Sequence, residues 1–118
     1  MKGQTAGLIM LKELGQGTGY IYYVAVLPEF RRQEVGGRLV DDALSYFVSR
    51  GTSMVYATVE EDNVPSLSLF HSKGFAESSD AEMARIHGHL RSLYMRYEMR
   101  VVTGEVVLRK DLGEPKGP

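Results

Sequence analysis

The run Val24-Ala25-Val26-Leu27-Pro28-Glu29-Phe30-Arg31-Arg32-Gln33-Glu34-Val35-Gly36-Gly37-Arg38-Leu39-Val40 decides how this chain folds. It opens as the end of an aromatic, β-branched segment, Tyr20 to Leu27, with the composition of a buried strand. Pro28 stops that strand, because proline has no N–H to give to a ladder. From Val35 the period changes. Val35, Leu39, Ala43, Leu44, Phe47 and Val48 recur at three- and four-residue spacing, an amphipathic helix that Arg50-Gly51 ends. The turn between strand and helix carries Arg31, Arg32 and Arg38, with Gly36 and Gly37 in the first helical turn. A helix N-terminus exposes N–H groups and the positive end of the dipole. Glycine lets a ligand come close to the backbone, and arginine adds charge suited to phosphate. The stretch therefore reads as an anion site, shaped for a pyrophosphate. The plain alternative is two unremarked glycines near a helix start, beside solvated arginines.

Upstream, the short apolar segment from Ala6 to Leu14 reads as a strand, and Gly15-Gln16-Gly17-Thr18-Gly19 as the turn into the aromatic strand. Together they predict an antiparallel hairpin. Downstream, Met54 to Val59 is β-rich, so the strand–helix–strand order predicts a right-handed crossover with parallel strands. Glu60-Glu61-Asp62-Asn63 reads as a polar loop and Pro65 to Lys73 as a short helix closed by Gly74, with a further strand starting near Phe75 to Glu77. The last third has two readings. One is a helix from Asp80 to Arg91, weakened by Gly88, then a closing hairpin of Tyr94 to Val102 and Glu105 to Leu112 about Thr103-Gly104. The other is a continuous helix from Asp80 to Arg100.

The chain has 118 residues, a length that fits one domain, here 1–112, with a Gly/Pro-rich tail at 113–118 expected to fray. A formal net charge of −1 and the lack of aromatic–basic interleaving argue against nucleic-acid binding. The absence of cysteine excludes disulfides, a cysteine zinc site and a cysteine nucleophile, and fits a cytoplasmic location. No apolar run approaches the ~20 residues of a membrane span, and Met1 to Leu11 lacks a signal-peptide cleavage pattern. His71, His87 and His89 lack metal-ligand spacing, so no metal site is expected.

Two segments resemble the GNAT superfamily of N-acetyltransferases. The opening run is similar to the family's strand, Pro, aromatic–Arg pair and R-x-x-G-x-G/A turn. Asn63-Val64-Pro65-Ser66-Leu67-Ser68-Leu69-Phe70-His71-Ser72-Lys73-Gly74-Phe75 is similar to its N-x-x-A/S-x-x-L-Y-x-x-x-G-F segment. The resemblance implies an α/β (α+β) fold: a mixed central sheet with antiparallel N-terminal strands, a parallel β-α-β crossover and flanking helices. It implies acetyl-CoA as cofactor, with the turn from Arg31 to Arg38 on the pyrophosphate. Val24, Ala25 and Val26 would lie along the pantetheine, with Asn63, Ser66 and Phe70 beside the cofactor. The implied activity is acetyl transfer to a primary amine of a small molecule or protein.

The sequence departs from the family pattern at three points. Glu34 stands where the motif has its first glycine. Phe70 replaces a tyrosine that often protonates the leaving thiolate. The family's first strand and two helices have no counterpart ahead of Ala6. These departures favour a second reading, a degenerate fold member that binds CoA or a protein partner without turnover. They also predict a homodimer that covers an exposed edge. For catalysis, Glu60, with Glu61 beside it, is the candidate base, against the plain reading of a solvated acidic loop; Tyr20 or Tyr22 (or their neighbour Tyr23) stands in place of the missing tyrosine, and the Val26 amide as oxyanion donor.

Overall fold

The computed structural model describes residues 7–27 and 34–113. Among them run β1 (Gly7–Gly15), β2 (Thr18–Val26), α1 (Val35–Ser49), β3 (Met54–Glu60), α2 (Val64–Ser72), β4 (Ala76–Glu77), α3 (Asp80–His87), α4 (His89–Met99) and β5 (Glu105–Asp111). The strands form one 5-stranded sheet in the order β1-β2-β3-β5-β4. β1 and β2 are the expected antiparallel hairpin, and β2 and β3 are parallel across the α1 crossover. The turn between β1 and β2 bends through positive φ at Gly15, Gln16 and Gly17, a run that two glycines make cheap.

Two apolar clusters lie against the sheet. Val40, Ala43 and Phe47 of α1 and Phe70 of α2 pack on Ile21, Val55, Ala57 and Leu108. Met83 of α3 and Met95 and Met99 of α4 pack with Leu14, Tyr20, Tyr56 and Val107. Alternation along β3 sends Val55 and Ala57 to one cluster and Tyr56 to the other, so each cluster takes one face. The predicted α1 face holds at Ala43 and Phe47, whereas Val48 is exposed.

The expected closing hairpin is corrected. Tyr94 to Met99 is helical, and β5 pairs with β3 and β4 instead. The continuous helix fails too. Gly88, at φ 87 and ψ 157, breaks it into α3 and α4, a backbone position that disfavours any side chain. The tail from Glu114 to Pro118 lies outside the described residues.

Tyr56 is fully buried, and its hydroxyl meets His87 Nε2 at 2.8 Å, tying α3 to the sheet. Burial, with Arg91 and Arg109 adding repulsion, pushes the His87 imidazole below the usual histidine range. In the unfolded chain His87 protonates at about pH 6.5, while the folded state resists the proton. The stability that neutral His87 contributes is therefore complete above that pH and lost as pH falls through the window below it. Thermal melts over roughly pH 7.5 to 5 are expected to show Tm falling with acid, less so in His87→Gln. An unchanged slope in His87→Gln overturns this assignment.

Candidate active site

The site begins where the sheet comes apart. The parallel β2–β3 ladder runs from Thr18–Met54 to Ile21–Ala57 and ends there among the described residues, while β3 continues against β5 to Glu60–Glu105. The cause is a bulge. Met10 pairs with Tyr23 and Leu11 with Ile21, so Tyr22 is an extra residue in β2. A bulge bends its strand and breaks the alternation of faces. Ile21 and Val24, three apart, accordingly pack against the same cluster. Beyond Ile21, β2 diverges from Thr58, Val59 and Glu60.

On the α1–α2 face a groove of about 640 Å³ opens beside the diverging strand, lined by Val24, Ala25, Val26, Gly36, Gly37 and Ser66 among others. Glu34, exposed, stands at its rim with φ 58 and ψ 25. Its carbonyl accepts the Arg38 N–H at 3.1 Å, so the amides of Val35, Gly36 and Gly37 precede the helical ladder. The left-handed backbone at Glu34 explains why glycine suits this motif position. A non-glycine residue there carries strain of about 1 kcal/mol. Glu34→Gly is expected to raise stability by about that amount, read as a higher Tm; a lower Tm overturns the strain argument.

A cation also stands at the first turn of α1. A side chain on Gly37 would approach Lys73 Nζ at 3.5 Å, and that ammonium pairs with Asp41 at 2.9 Å. Arg38 is exposed. Arg31, Arg32 and Gln33 lie outside the described residues. Asn63 caps α2, its Oδ1 accepting the Ser66 N–H at 3.2 Å, with Pro65 in the first turn. The cap holds both residues against the groove.

The groove adjoins a second pocket of about 250 Å³ between the parted strands, with Val24, Asn63 and Ser66 lining both. Here Phe70, buried and edge-on to Phe75 at 5.1 Å, forms wall from the α2 side. Tyr22, Thr58, Glu60 and Glu105 line the pocket too. By strand alternation Thr58 and Glu60 belong with Tyr56 on the α3–α4 face, and Glu105 sits directly opposite Glu60. The pocket thus passes through the sheet, from the α1–α2 face to the carboxylate-bearing face.

The candidate tyrosines separate. Tyr22 is 45% exposed and its ring stands 5.8 Å from that of Tyr20. Tyr20 is buried at 4% and lines neither space; its hydroxyl donates to the Met99 carbonyl at 3.0 Å and meets Thr58 Oγ1 at 2.6 Å. Burial pushes the Tyr20 phenol above its usual range. The Tyr23 side chain lies outside those described.

The sequence matches the Acetyltransferase (GNAT) family over residues 1–75. The chain belongs to the GNAT acetyltransferase family. No curated protein matches it. Among solved structures, the ribosomal-protein-S18-alanine N-acetyltransferase from Escherichia coli superposes on this GNAT chain with TM-score 0.71 at 15% identity, over 98% of this chain and 67% of its own. An acetyltransferase from Bacillus subtilis in complex with CoA gives TM-score 0.71 at 20% identity, over 95% of this chain and 72% of its own. An N-acetyltransferase from Thermoplasma acidophilum in complex with coenzyme A gives TM-score 0.67 at 15% identity, covering 90% of this chain and 53% of its own. At these identities the superpositions show a shared fold alone.

Three groups at this candidate site escaped the sequence reading. Lys73 was visible only as part of the second motif. Thr58 sits within an ordinary β-rich run, and Glu105 is brought to Glu60 by a pairing 45 residues long in sequence, from 60 to 105. Non-local register of this kind leaves no local signal.

Proposed function

We propose that this chain is an N-acetyltransferase that moves an acetyl group from acetyl-CoA to a primary amine of a small molecule or protein. One observation carries the reading: the groove at the α1 N-terminus adjoins, through Val24, Asn63 and Ser66, a pocket between the parted strands that Glu60 lines. The residues fit an extended, amide-bearing and anionic cofactor. First-turn amides of α1 and the Lys73 ammonium face the pyrophosphate end. The diverging backbone at Val24 and Ala25 offers strand-like hydrogen bonds to an amide-bearing arm. Asn63 and Ser66 stand at the junction of the two spaces.

Acetyl-CoA supplies the reactive thioester: the amine nitrogen bonds to the acetyl carbon, the C–S bond breaks, and the thiolate takes up one proton. The chain's own groups hold and move the protons. Glu60 accepts one from the amine, directly or through water. Tyr22 is the proton donor, because it lines the same pocket as Phe70, whose ring has no proton to give.

The rest of the reading concerns setting. Among the described residues no helix is long and apolar enough to cross a membrane, and we place the activity in the cytoplasm. We also read the protein as a homodimer. Among the described residues β1 is an edge strand, with Leu8 and Met10 exposed, which invites pairing with a second copy. Light scattering that gives the monomer mass overturns that part alone.

The test is calorimetric titration of the full chain with acetyl-CoA, followed by thioester loss across a panel of amines. Saturable heat and thioester loss are expected. No heat overturns the cofactor site, and heat without thioester loss favours a binding module without turnover.

A further inference from the structure

The proton positions in one hydrogen-bond chain can be deduced. The Met99 carbonyl can only accept, so the single proton of the Tyr20 hydroxyl is committed to it at 3.0 Å. The 2.6 Å contact between Tyr20 Oη and Thr58 Oγ1 then takes its proton from threonine. Thr58 is left with lone pairs and no spare proton, on a residue that lines the through-sheet pocket. Burial keeps the Tyr20 phenol protonated, and its partner carbonyl lies at the end of α4, so the chain cannot reverse. Glu60 and Glu105, opposed across β3 and β5, add carboxylates to the same pocket. Glu105 is itself oriented, its Oε1 accepting the Val102 N–H at 3.0 Å.

We propose that Thr58 is a specificity-determining acceptor, fixed in that role by Tyr20 as a positioning residue, and that with Glu60 and Glu105 it selects an aliphatic primary amine arriving as an ammonium ion. This deepens the acetyltransferase reading and rests on it. An ammonium carries three donors and no acceptor, and so matches a pocket whose threonine and carboxylates only accept. An amine with a carboxylate on the adjacent carbon meets like charge from two glutamates. An arylamine arrives neutral and offers fewer donors. The proton balance closes. One proton passes from the ammonium to Glu60 or Glu105, freeing the nitrogen lone pair to form the C–N bond. A second leaves nitrogen as the C–S bond breaks. One of the two ends on sulfur and the other in solvent.

The experiment uses the full chain saturated with coenzyme A or acetyl-CoA, with n-butylamine, glycine and aniline as probes. Binding of n-butylamine to the coenzyme A complex is followed by calorimetry, and turnover by thiol release. n-Butylamine is expected to bind and be acetylated in preference to both other amines. Thr58→Val, which keeps the shape and removes the acceptor, should raise the n-butylamine Kd and KM about tenfold or more, as loss of a hydrogen bond to a charged group does. Thr58→Ser should restore them. Tyr20→Phe should raise KM severalfold with a smaller change in kcat. Acetyl-CoA affinity is expected to stay the same in all three variants, which also reports that each has folded. Equal use of glycine or aniline, or Thr58→Val behaving as wild type, overturns the proposal while leaving the acetyltransferase reading in place. Acetyl-CoA binding with no amine bound or acetylated overturns the proposal and also counts against turnover. Failure to bind acetyl-CoA removes both.

Discussion

In Gly36→Glu, acetyl-CoA binding is expected to weaken at least a hundredfold while the protein becomes no less stable. Gly36 lines the groove in the first turn of α1, where a Cβ would lie 3.3 Å from Leu69 Cδ2 and 3.6 Å from Val26 Cγ2. Those are methyl ends of side chains, so the Cβ itself is accommodated with a small shift. The remaining atoms enter the groove and bring a carboxylate to the amides that would serve the pyrophosphate. A hundredfold loss corresponds to about 3 kcal/mol, reasonable for charge repulsion added to lost space. The same substitution favours the helix. Glutamate is a better helix former than glycine by roughly 0.5–1 kcal/mol, and an acidic group in the first turn interacts well with the dipole. Unfolding therefore cannot masquerade as lost binding. Calorimetry and thermal melts on the same sample make the check; undiminished affinity in Gly36→Glu removes the groove from the cofactor site.

Gly19→Ala is expected to cost about 3 kcal/mol of stability, at the upper end of overpacking substitutions. Gly19 sits in β2 between Glu13 of β1 and Val55 of β3. A Cβ there would fall 2.5 Å from Phe47 Cε1 and 2.7 Å from Cδ1 and Cζ. Phe47 has no exposed surface and belongs to the larger cluster, so the ring has nowhere to withdraw. The glycine is where α1 comes flat against the sheet. A Tm lower by roughly 10 °C or more is expected for a domain of this size. Phe47→Leu leaves room for the methyl, so the double variant should be more stable than the sum of the two single losses predicts. Denaturant unfolding measures all three. A Gly19→Ala loss within about 0.5 kcal/mol contradicts the packing described.

The two segments that decided the reading were legible because each of their signals is local. The change from strand composition at Tyr20–Leu27 to helical spacing at Val35–Phe47 needs no distant partner, and neither does the Asn63 cap. Glu34 was legible as a departure, but its positive φ was not. Tyr94 to Val102 misled for a physical reason. Met95 and Met99 face the sheet while Leu90, Leu93, Tyr94 and Tyr97 are exposed, so α4 carries apolar residues on both sides and the helical period is blurred. The cleft was the least legible feature. It depends on one extra residue in β2, and a bulge is visible only once the partner strand is in register. For the same reason Tyr20 and Tyr22 looked equivalent in sequence, and they part company only when one is under α4 and the other at the opening.

The short β2–β3 ladder has a mechanical consequence. It joins a half made of β1, β2 and α1 to a half made of β3, β5 and β4, and among the described residues it stops at Ile21–Ala57. A molecule seated between the parted strands touches both halves and stands in for the missing rungs. Its binding energy then opposes the same opening that exposes the amides next to the last rung. In this architecture occupancy and stiffness are one quantity, and the rate at which amide hydrogens near Ala57 exchange with solvent becomes a gauge of how completely the sheet has been closed.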